Sequence, residues 1–137
     1  MTRISEAEYR ALSGTPSKRS KYNNNKPEYY DPDLKETLKF DSNKERDYYL
    51  ILKDRLKRQE ITFLQRQVSI EIQPSFITPS GEKIQAITYK ADFTYLDYKD
   101  QRIHYIDVKG SPNTLTEVYK LKKKLLAYKG IYIEEVY

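Results

Sequence analysis

The chain has 137 residues and a formal net charge of +5, and its mean hydropathy of -0.86 indicates one polar domain with a modest core. It has no cysteine and one histidine, which excludes disulfide scaffolds, cysteine-based zinc sites and histidine-rich metal sites. No run approaches the roughly 18 apolar residues of a membrane span, and no signal peptide is recognisable. We therefore expect a cytoplasmic protein without a membrane partner. A metal would need oxygen ligands, which favours magnesium, manganese or calcium.

The excess of positive charge, with an isoelectric point of about 9.2, indicates a polyanionic partner, and nucleic acid is the commonest one. The alternative is a soluble protein that is merely basic. The 14 tyrosines fit either interpretation, because tyrosine stacks on bases and also packs well in small cores.

Residues 1–37 are predicted to form a basic, largely flexible leader, since they are rich in Ser, Pro, Asn and Lys and poor in aliphatic side chains. Within it, the run SEAEYRALSG favours a short helix. Lys18, Arg19 and Lys21 lie in a stretch without negative charge that could bind a nucleic-acid backbone. A solubilising leader explains the same composition.

The compact domain is predicted to span residues 38–137 and to begin with a helix in FDSNKERDYYLILKDRLKRQEI, where Asp41 or Ser42 serves as N-cap. Acidic residues early in this helix and basic residues late in it support the prediction. The predicted inward stripe contains Tyr48, Tyr49, Leu52 and Leu56, widened by Leu50 and Ile51. One turn earlier the same stripe reaches Glu45, which places a carboxylate on the inward face.

Three strands follow, because the period of the apolar residues changes from 3.6 to 2. The first contains Val68, Ile70 and Ile72, and TPSG predicts a turn after it. The second, KIQAITYKADFTYLD, carries on one face Ile87, Tyr89, Ala91 and Phe93. Asp92 lies on the other face. The third, RIHYIDVKG, carries Ile106 and Val108 on one face and Tyr105, Asp107 and Lys109 on the other.

A second helix is predicted in TLTEVYKLKKKLLAYKG, with Gly130 as its stop. Its predicted core face carries residues three and four positions apart: Thr114, Val118, Leu121, Leu125 and Tyr128. IYIEEVY then forms a last strand, parallel to the third strand because a helical crossover separates them. The order α-β-β-β-α-β predicts an α/β fold with a mixed central sheet flanked by helices.

Four charged residues break the pattern of their elements in the same direction: Glu45, Asp92, Asp107 and Lys109. An antiparallel pairing of the second and third strands would bring Asp92 close to Asp107, and Lys109 leaves the same face as Asp107. Phosphodiester hydrolysis needs an activated water and neutralised phosphate charge, which carboxylate-bound Mg²⁺ and a lysine supply. An exposed ion pair is the alternative for Asp107 and Lys109 by themselves.

Glu45 on the first helix, ADF around Asp92 and DVK at positions 107–109 resemble the motifs of the PD-(D/E)XK nuclease superfamily. The pieces KFDSNKERDYYLIL, ITFLQRQ, ITYKADFTYLD, IDVKG and VYKLKKKLL are similar to a small phage family of predicted endonucleases within it. The resemblance covers roughly residues 38–137 and implies a restriction-endonuclease-like core. Ala91 stands where the superfamily has proline, and the third-strand acid is aspartate where glutamate is commoner.

The resemblance implies that Glu45, Asp92, Asp107 and the carbonyl of Val108 hold Mg²⁺, with Mn²⁺ as a substitute, and that Lys109 positions the nucleophile. It further implies a DNA endonuclease that works as a homodimer in phage recombination, replication or packaging, in the cytoplasm of a bacterial host. Branched DNA, such as a Holliday junction, is the expected substrate. The alternative is a non-catalytic module on a nuclease-like scaffold that binds nucleic acid or a host protein.

Weaker candidates for nucleic-acid contact lie outside this group. Gln67, on the polar face of the first strand, is predicted to contact DNA or the metal's water shell, or to be an ordinary exposed glutamine. Candidates on the second helix, which also fit a solvated basic face, are Tyr119, Lys122, Lys123 and Lys124. His104 points away from Asp107 and is predicted to be structural.

Overall fold

The computed structural model describes residues 25–137, which belong to two compact units, one ending at Ser42 and one beginning at Asn43. The short helix predicted near the N-terminus and the basic residues Lys18, Arg19 and Lys21 lie outside the described residues. No helix within residues 25–137 is long and apolar enough to cross a membrane.

The first unit contains strands β1 (Glu28–Asp31) and β2 (Glu36–Lys39). The second contains α1 (Asn43–Lys57), β3 (Ile61–Gln73), β4 (Phe76–Ile77), β5 (Lys83–Ile84), β6 (Ile87–Asp97), β7 (Arg102–Val108), a 3-10 turn (Pro112–Thr114), α2 (Glu117–Tyr128) and β8 (Ile133–Val136).

In the first unit, β1 and β2 pair as an antiparallel hairpin. The carboxylate of Asp31, which is fully buried, accepts backbone N–H bonds from Asp33 at 2.9 Å and from Leu34 at 3.2 Å. This side chain thus satisfies the backbone of the turn, as aspartate commonly does. Residues 1–37 were expected to be largely flexible, but the described part of that leader contains this ordered hairpin. Its short strands lack the apolar alternation that predicts strands.

In the second unit, four strands form one mixed sheet in the order β3-β6-β7-β8. β3 pairs antiparallel with β6, β6 antiparallel with β7, and β7 parallel with β8. The predicted mixed sheet, the β6–β7 hairpin and the parallel last strand are therefore confirmed. The predicted turn at TPSG is also present, between the short strands β4 and β5, where Gly81 has a φ of +95° and donates its N–H to the Thr78 carbonyl at 2.9 Å.

Helix α1 buries Tyr49, Leu52 and Glu45, as its pattern predicts. The ring of Tyr49 stacks on Phe93 of β6, with centroids 6.0 Å apart. Leu50 and Ile51 do not widen the buried stripe, because both are exposed.

The core face predicted for α2 is wrong. The helix buries Tyr119 and Leu126, which join a cluster with Ile72, Tyr89, Ala91 and Ile133. The predicted face is exposed at Val118, Leu121, Leu125 and Tyr128. Polar contacts favour the observed rotation, because Tyr119 and Lys123 of α2 both bond the Glu135 carboxylate of β8.

The two helices cover opposite faces of the sheet. Tyr105 of β7 packs against the cluster beneath α2. Its neighbour His104 stacks on Tyr95, whose hydroxyl accepts a 3.4 Å hydrogen bond from Arg55 of α1. Adjacent residues of a strand point to opposite faces, so α2 lies on one face and α1 on the other.

Strands β3 and β6 change the face they present midway along their length. Ala91 packs beneath α2, whereas Phe93 packs against α1, although residues two apart share a face in a regular strand. On β3, Ile70 packs beneath α2, whereas Arg66 lies over a tyrosine ring of α1. The prediction that Phe93 shares a face with Ala91 is therefore wrong. The left-handed backbone of Gln67, with a φ of +52°, lies where β3 changes face.

Candidate active site

The four charged residues singled out by the sequence come together in the second unit. Glu45 lies in the first turn of α1 and is only 3% exposed. Asp92 lies in the middle of β6, and Asp107 lies near the end of β7 with 8% exposure. Lys109 follows the last residue of β7, and its Nζ lies 3.4 Å from Oδ2 of Asp107.

Asp92 is the carboxylate whose electrostatics depend on the other two. Its Oδ2 accepts the backbone N–H of Val108 at 2.8 Å. Burial and the negative charges of Glu45 and Asp107 raise the pKa of Asp92 to about 7, against the opposing effect of the Val108 N–H. A carboxyl in this position strongly favours either a proton or a cation.

Two tyrosines hold the Asp107–Lys109 pair. The hydroxyl of Tyr89 donates to Oδ2 of Asp107. Lys109 Nζ lies 3.8 Å from the centroid of the Tyr119 ring, a cation–π contact. The hydroxyl of Tyr119 donates to Glu135 at 2.7 Å. Burial, followed by bonding to a carboxylate, raises the pKa of both phenols, so they act as neutral donors.

Glu45 is held from β3. Nε2 of Gln67 donates a 3.1 Å hydrogen bond to Oε2 of Glu45. The adjacent Lys44 reaches the carbonyl of Gly110 with its Nζ at 3.4 Å, which ties the start of α1 to the chain just beyond β7. Gln67 therefore contacts a member of the candidate site, which its polar position in the strand could not specify.

Residues 19–136 match the family described as "Protein of unknown function (DUF1064)". The chain belongs to this family. No curated protein and no solved structure matches the chain. The matched residues of this DUF1064 chain include α1, β6 and β7, so the whole candidate site lies inside the family region.

The donor set suits a hard divalent cation, because Glu45, Asp92 and Asp107 offer only oxygen atoms. Within residues 25–137, no group of three or more His, Asp or Glu side chains has an arrangement that could hold a metal ion. Each carboxylate instead has a protein partner: Gln67, the Val108 N–H, and Tyr89 with Lys109. The raised pKa of Asp92 is consistent with a cation site, because repulsion from Glu45 and Asp107 causes part of the shift and a bound cation would relieve that repulsion.

The α2 candidates for phosphate contact separate into two kinds. Tyr119 is buried, and Lys123 is engaged by Glu135 at 2.8 Å although its side chain is 39% exposed. Lys124 is exposed and Lys122 half-buried, and these remain the candidates for contact with a polyanion. Glu135, whose pKa falls to about 2 through Lys123 and Tyr119, was not identified from the sequence.

Tyr89 was also missed as a contact of Asp107. The sequence places it among apolar core residues and gives no sign that its hydroxyl reaches the next strand.

His104 lies two residues into β7, away from the carboxylates. Its Nε2 is 2.8 Å from Asp100 and its Nδ1 is 2.5 Å from Glu134. Burial opposes its charge, but these two carboxylates raise its pKa overall. They line a cavity of about 410 Å³ with Arg102 and Tyr132. His104 thus joins the β6–β7 turn to β8, the structural role the sequence predicts.

Proposed function

We propose that this DUF1064 chain is a metal-dependent endodeoxyribonuclease of the PD-(D/E)XK superfamily. The observation that carries the proposal is the convergence of Glu45, Asp92, Asp107 and Lys109 from three elements. A surface ion pair requires neither a buried Glu45 nor a second aspartate whose pKa is raised by the charges of Glu45 and Asp107. The order α1, β3, β6, β7, α2, β8 supports a restriction-endonuclease-like topology.

Glu45, Asp92, Asp107 and the carbonyl of Val108 would hold Mg²⁺, or Mn²⁺ in its place. The bound cation supplies neutralisation of phosphate charge and a more acidic water. The Val108 N–H already fixes one oxygen of Asp92 at 2.8 Å, which leaves the other oxygen for a ligand.

Lys109 is the residue that would orient the attacking water or stabilise charge on the phosphate oxygens. Its ammonium has three donors. Asp107 and the Tyr119 ring anchor it from two directions, so its position is fixed before substrate arrives.

The substrate we propose is branched DNA such as a four-way junction, cut by a homodimer in the cytoplasm of a bacterial host during phage recombination, replication or packaging. The net charge of +5 supports a nucleic-acid substrate. Exposed lysines of α2, such as Lys124, supply cations for the DNA backbone. The preference for a junction and for a dimer follows from likeness of fold.

The test is incubation of the full chain with supercoiled, linear and four-way-junction DNA in Mg²⁺, Mn²⁺ or EDTA. We expect cutting only with a divalent cation, and loss of cutting in Asp107→Ala and Lys109→Ala. The matched control is the exposed ion pair of Asp54 and Arg58 in α1, 2.8 Å apart. Alanine at either control position should leave cutting unchanged. Cutting that survives Asp107→Ala refutes the site.

A second candidate function is a non-catalytic nucleic-acid or protein module. It is favoured by the protein hydrogen bonds that already engage Glu45, Asp92 and Asp107. Calorimetric titration with Mg²⁺ separates the two functions. DNA affinity without any divalent-cation binding would establish the module instead of the nuclease.

A further inference from the structure

Gln67 has a left-handed backbone in the interior of a long strand. Its φ is +52°, whereas the surrounding β3 runs from Ile61 to Gln73. A residue with a Cβ atom adopts this conformation at an energetic cost, and such residues concentrate at functional sites. Lys35, Gln59 and Gln101 also have positive φ, but they lie in turns, where such conformations are common. Phe63 of β3 has a φ of +54°, and it lies in the register shift between Thr62 and Gln65.

The left-handed residue lies level with a candidate catalytic carboxylate. The register of β3 and β6 passes from Arg66↔Phe93 to Val68↔Ala91, which places Gln67 opposite Asp92. Both strands change the face they present at this level, as the packing of Ala91 and Phe93 shows. The pairing register continues without a shift at this level, so the change of face comes from the backbone conformation, which re-aims the side chains beside it.

The side chain of Gln67 contacts a second carboxylate of the same site, Glu45. Its amide donates to Oε2 of Glu45 at 3.1 Å, and Glu45 is almost completely buried. An amide that donates to a ligating carboxylate fixes its orientation without adding charge. One residue thus acts on Asp92 through its backbone and on Glu45 through its side chain.

We propose that Gln67 is the positioning residue of the cation site: its left-handed backbone aims Asp92 and its amide holds Glu45. The inference rests on the proposed function, since it assigns Glu45 and Asp92 to a divalent cation. The sequence predicts for Gln67 contact with DNA or the metal's water shell, or an ordinary exposed glutamine, and this inference assigns it a role through Glu45 and Asp92 instead. Loss of an outer partner of this kind typically weakens metal affinity by about 10–100-fold.

The experiment compares two variants of the full chain. Gln67→Gly accepts positive φ without strain and removes the amide, so it should fold. Gln67→Asn tolerates positive φ, but its side chain is one methylene too short to make the same bond to Glu45. The matched control is Gln101→Gly, because Gln101 has a φ of +59° and also donates its amide, to the Tyr98 carbonyl at 2.7 Å.

Mg²⁺ affinity is measured by calorimetry, and the fold is checked by thermal melting in EDTA. We expect both Gln67 variants to bind Mg²⁺ at least tenfold more weakly, with melting temperatures within a few degrees of wild type. Gln101→Gly should bind Mg²⁺ within twofold of wild type. A purely structural role would change the melting temperature and leave the affinity in place.

Each other outcome has a definite meaning. Wild-type Mg²⁺ affinity in both Gln67 variants overturns this inference and leaves the proposed function standing. Weak binding by Gln67→Gly alone overturns the role of the hydrogen bond to Glu45, because Gln67→Asn also lacks that bond. A wild-type chain that binds no divalent cation overturns the proposed function and this inference together.

Discussion

Replacing Asp92 with asparagine should stabilise the cation-free protein at neutral and alkaline pH. The raised pKa of Asp92 means that its charged form is unfavourable in the fold, mainly through burial and the nearby Glu45 and Asp107. Asparagine has the shape of the protonated acid. Its oxygen can accept the Val108 N–H, and it carries no charge for Glu45 and Asp107 to repel.

The sign and size follow from proton linkage. Between pH 3.8 and about 7 the unfolded chain releases the proton of Asp92 while the folded chain keeps it. Stability therefore falls as the pH rises through this window, and it is flat above it for this group. A folded-state pKa of about 7 in place of 3.8 corresponds to a loss of folding stability of about 4 kcal/mol once the pH is above both values. Solvent screening of a half-buried carboxyl reduces the expected effect to about 2 kcal/mol.

The assay is urea unfolding in EDTA at pH 5 and at pH 8. We expect Asp92→Asn to exceed wild type by about 2 kcal/mol at pH 8 and by less at pH 5. With saturating Mg²⁺, wild type should become more stable than Asp92→Asn, because a ligand at 100 times its Kd adds about 2.7 kcal/mol to the free energy of unfolding of a chain that binds it. Titrating groups distant from Asp92 affect both proteins alike, so the difference reports Asp92 and the carboxylates that interact with it.

A matched control lies on the same strand. The backbone N–H of Lys99 and the Arg55 guanidinium lower the pKa of Asp97, against the effect of burial. Asp97→Asn should therefore destabilise the protein at pH 8, opposite in sign to Asp92→Asn. The reasoning is refuted if Asp92→Asn is no more stable than wild type at pH 8 in EDTA.

Three further outcomes are expected. Tyr119→Phe should keep the rate of DNA cutting within a few-fold of wild type, because the ring beneath Lys109 remains. Tyr119→Leu should reduce the rate about tenfold without weakening Mg²⁺ binding. Equal loss in both variants would show that the ring is not what holds Lys109. Leu126 is buried and Leu121 is exposed, so Leu126→Ala should lower the free energy of unfolding in urea by about 2–5 kcal/mol and Leu121→Ala by less than about 0.5 kcal/mol. Equal losses would contradict the observed rotation of α2. The pKa of His104 is raised in the folded state, so its ion pairs with Asp100 and Glu134 stabilise the fold fully below pH 6.5. This stabilisation is lost as the pH rises through the pKa that His104 has in the folded state. In His104→Gln, that part of the pH dependence of unfolding should disappear.

The sequence predicts most of the sheet correctly because its strands alternate and its turns carry recognisable residues. The parallel pairing of β7 and β8 follows from the helical crossover between them. The inward position of Glu45 follows from helical period alone, and its burial bears this out. These features depend on local pattern, which one sequence contains in full.

The remainder depends on contacts between distant residues. Nothing local distinguishes the line of Tyr119 and Leu126 on α2 from the more regular line that contains Leu121. The choice is made by Glu135, a residue of the next strand that bonds Tyr119 and Lys123. A prediction from helical period counts apolar side chains and cannot include the half-buried Glu135, which hydrogen-bonds two polar groups of α2.

The left-handed backbone of Gln67 and the raised pKa of Asp92 are independent costs to the fold, and they lie level with each other on neighbouring strands. A fold selected only for stability would lose both, since glycine relieves the first and asparagine the second. Their coincidence at the point where Glu45 and Asp107 also converge indicates that one requirement maintains them together. The binding energy of a divalent cation would offset both destabilising features, because the cation stabilises the charged carboxylates that this geometry brings together. If that is correct, Gln67→Gly and Asp92→Asn should each narrow the stability gap between Mg²⁺ and EDTA, and the double variant should close it.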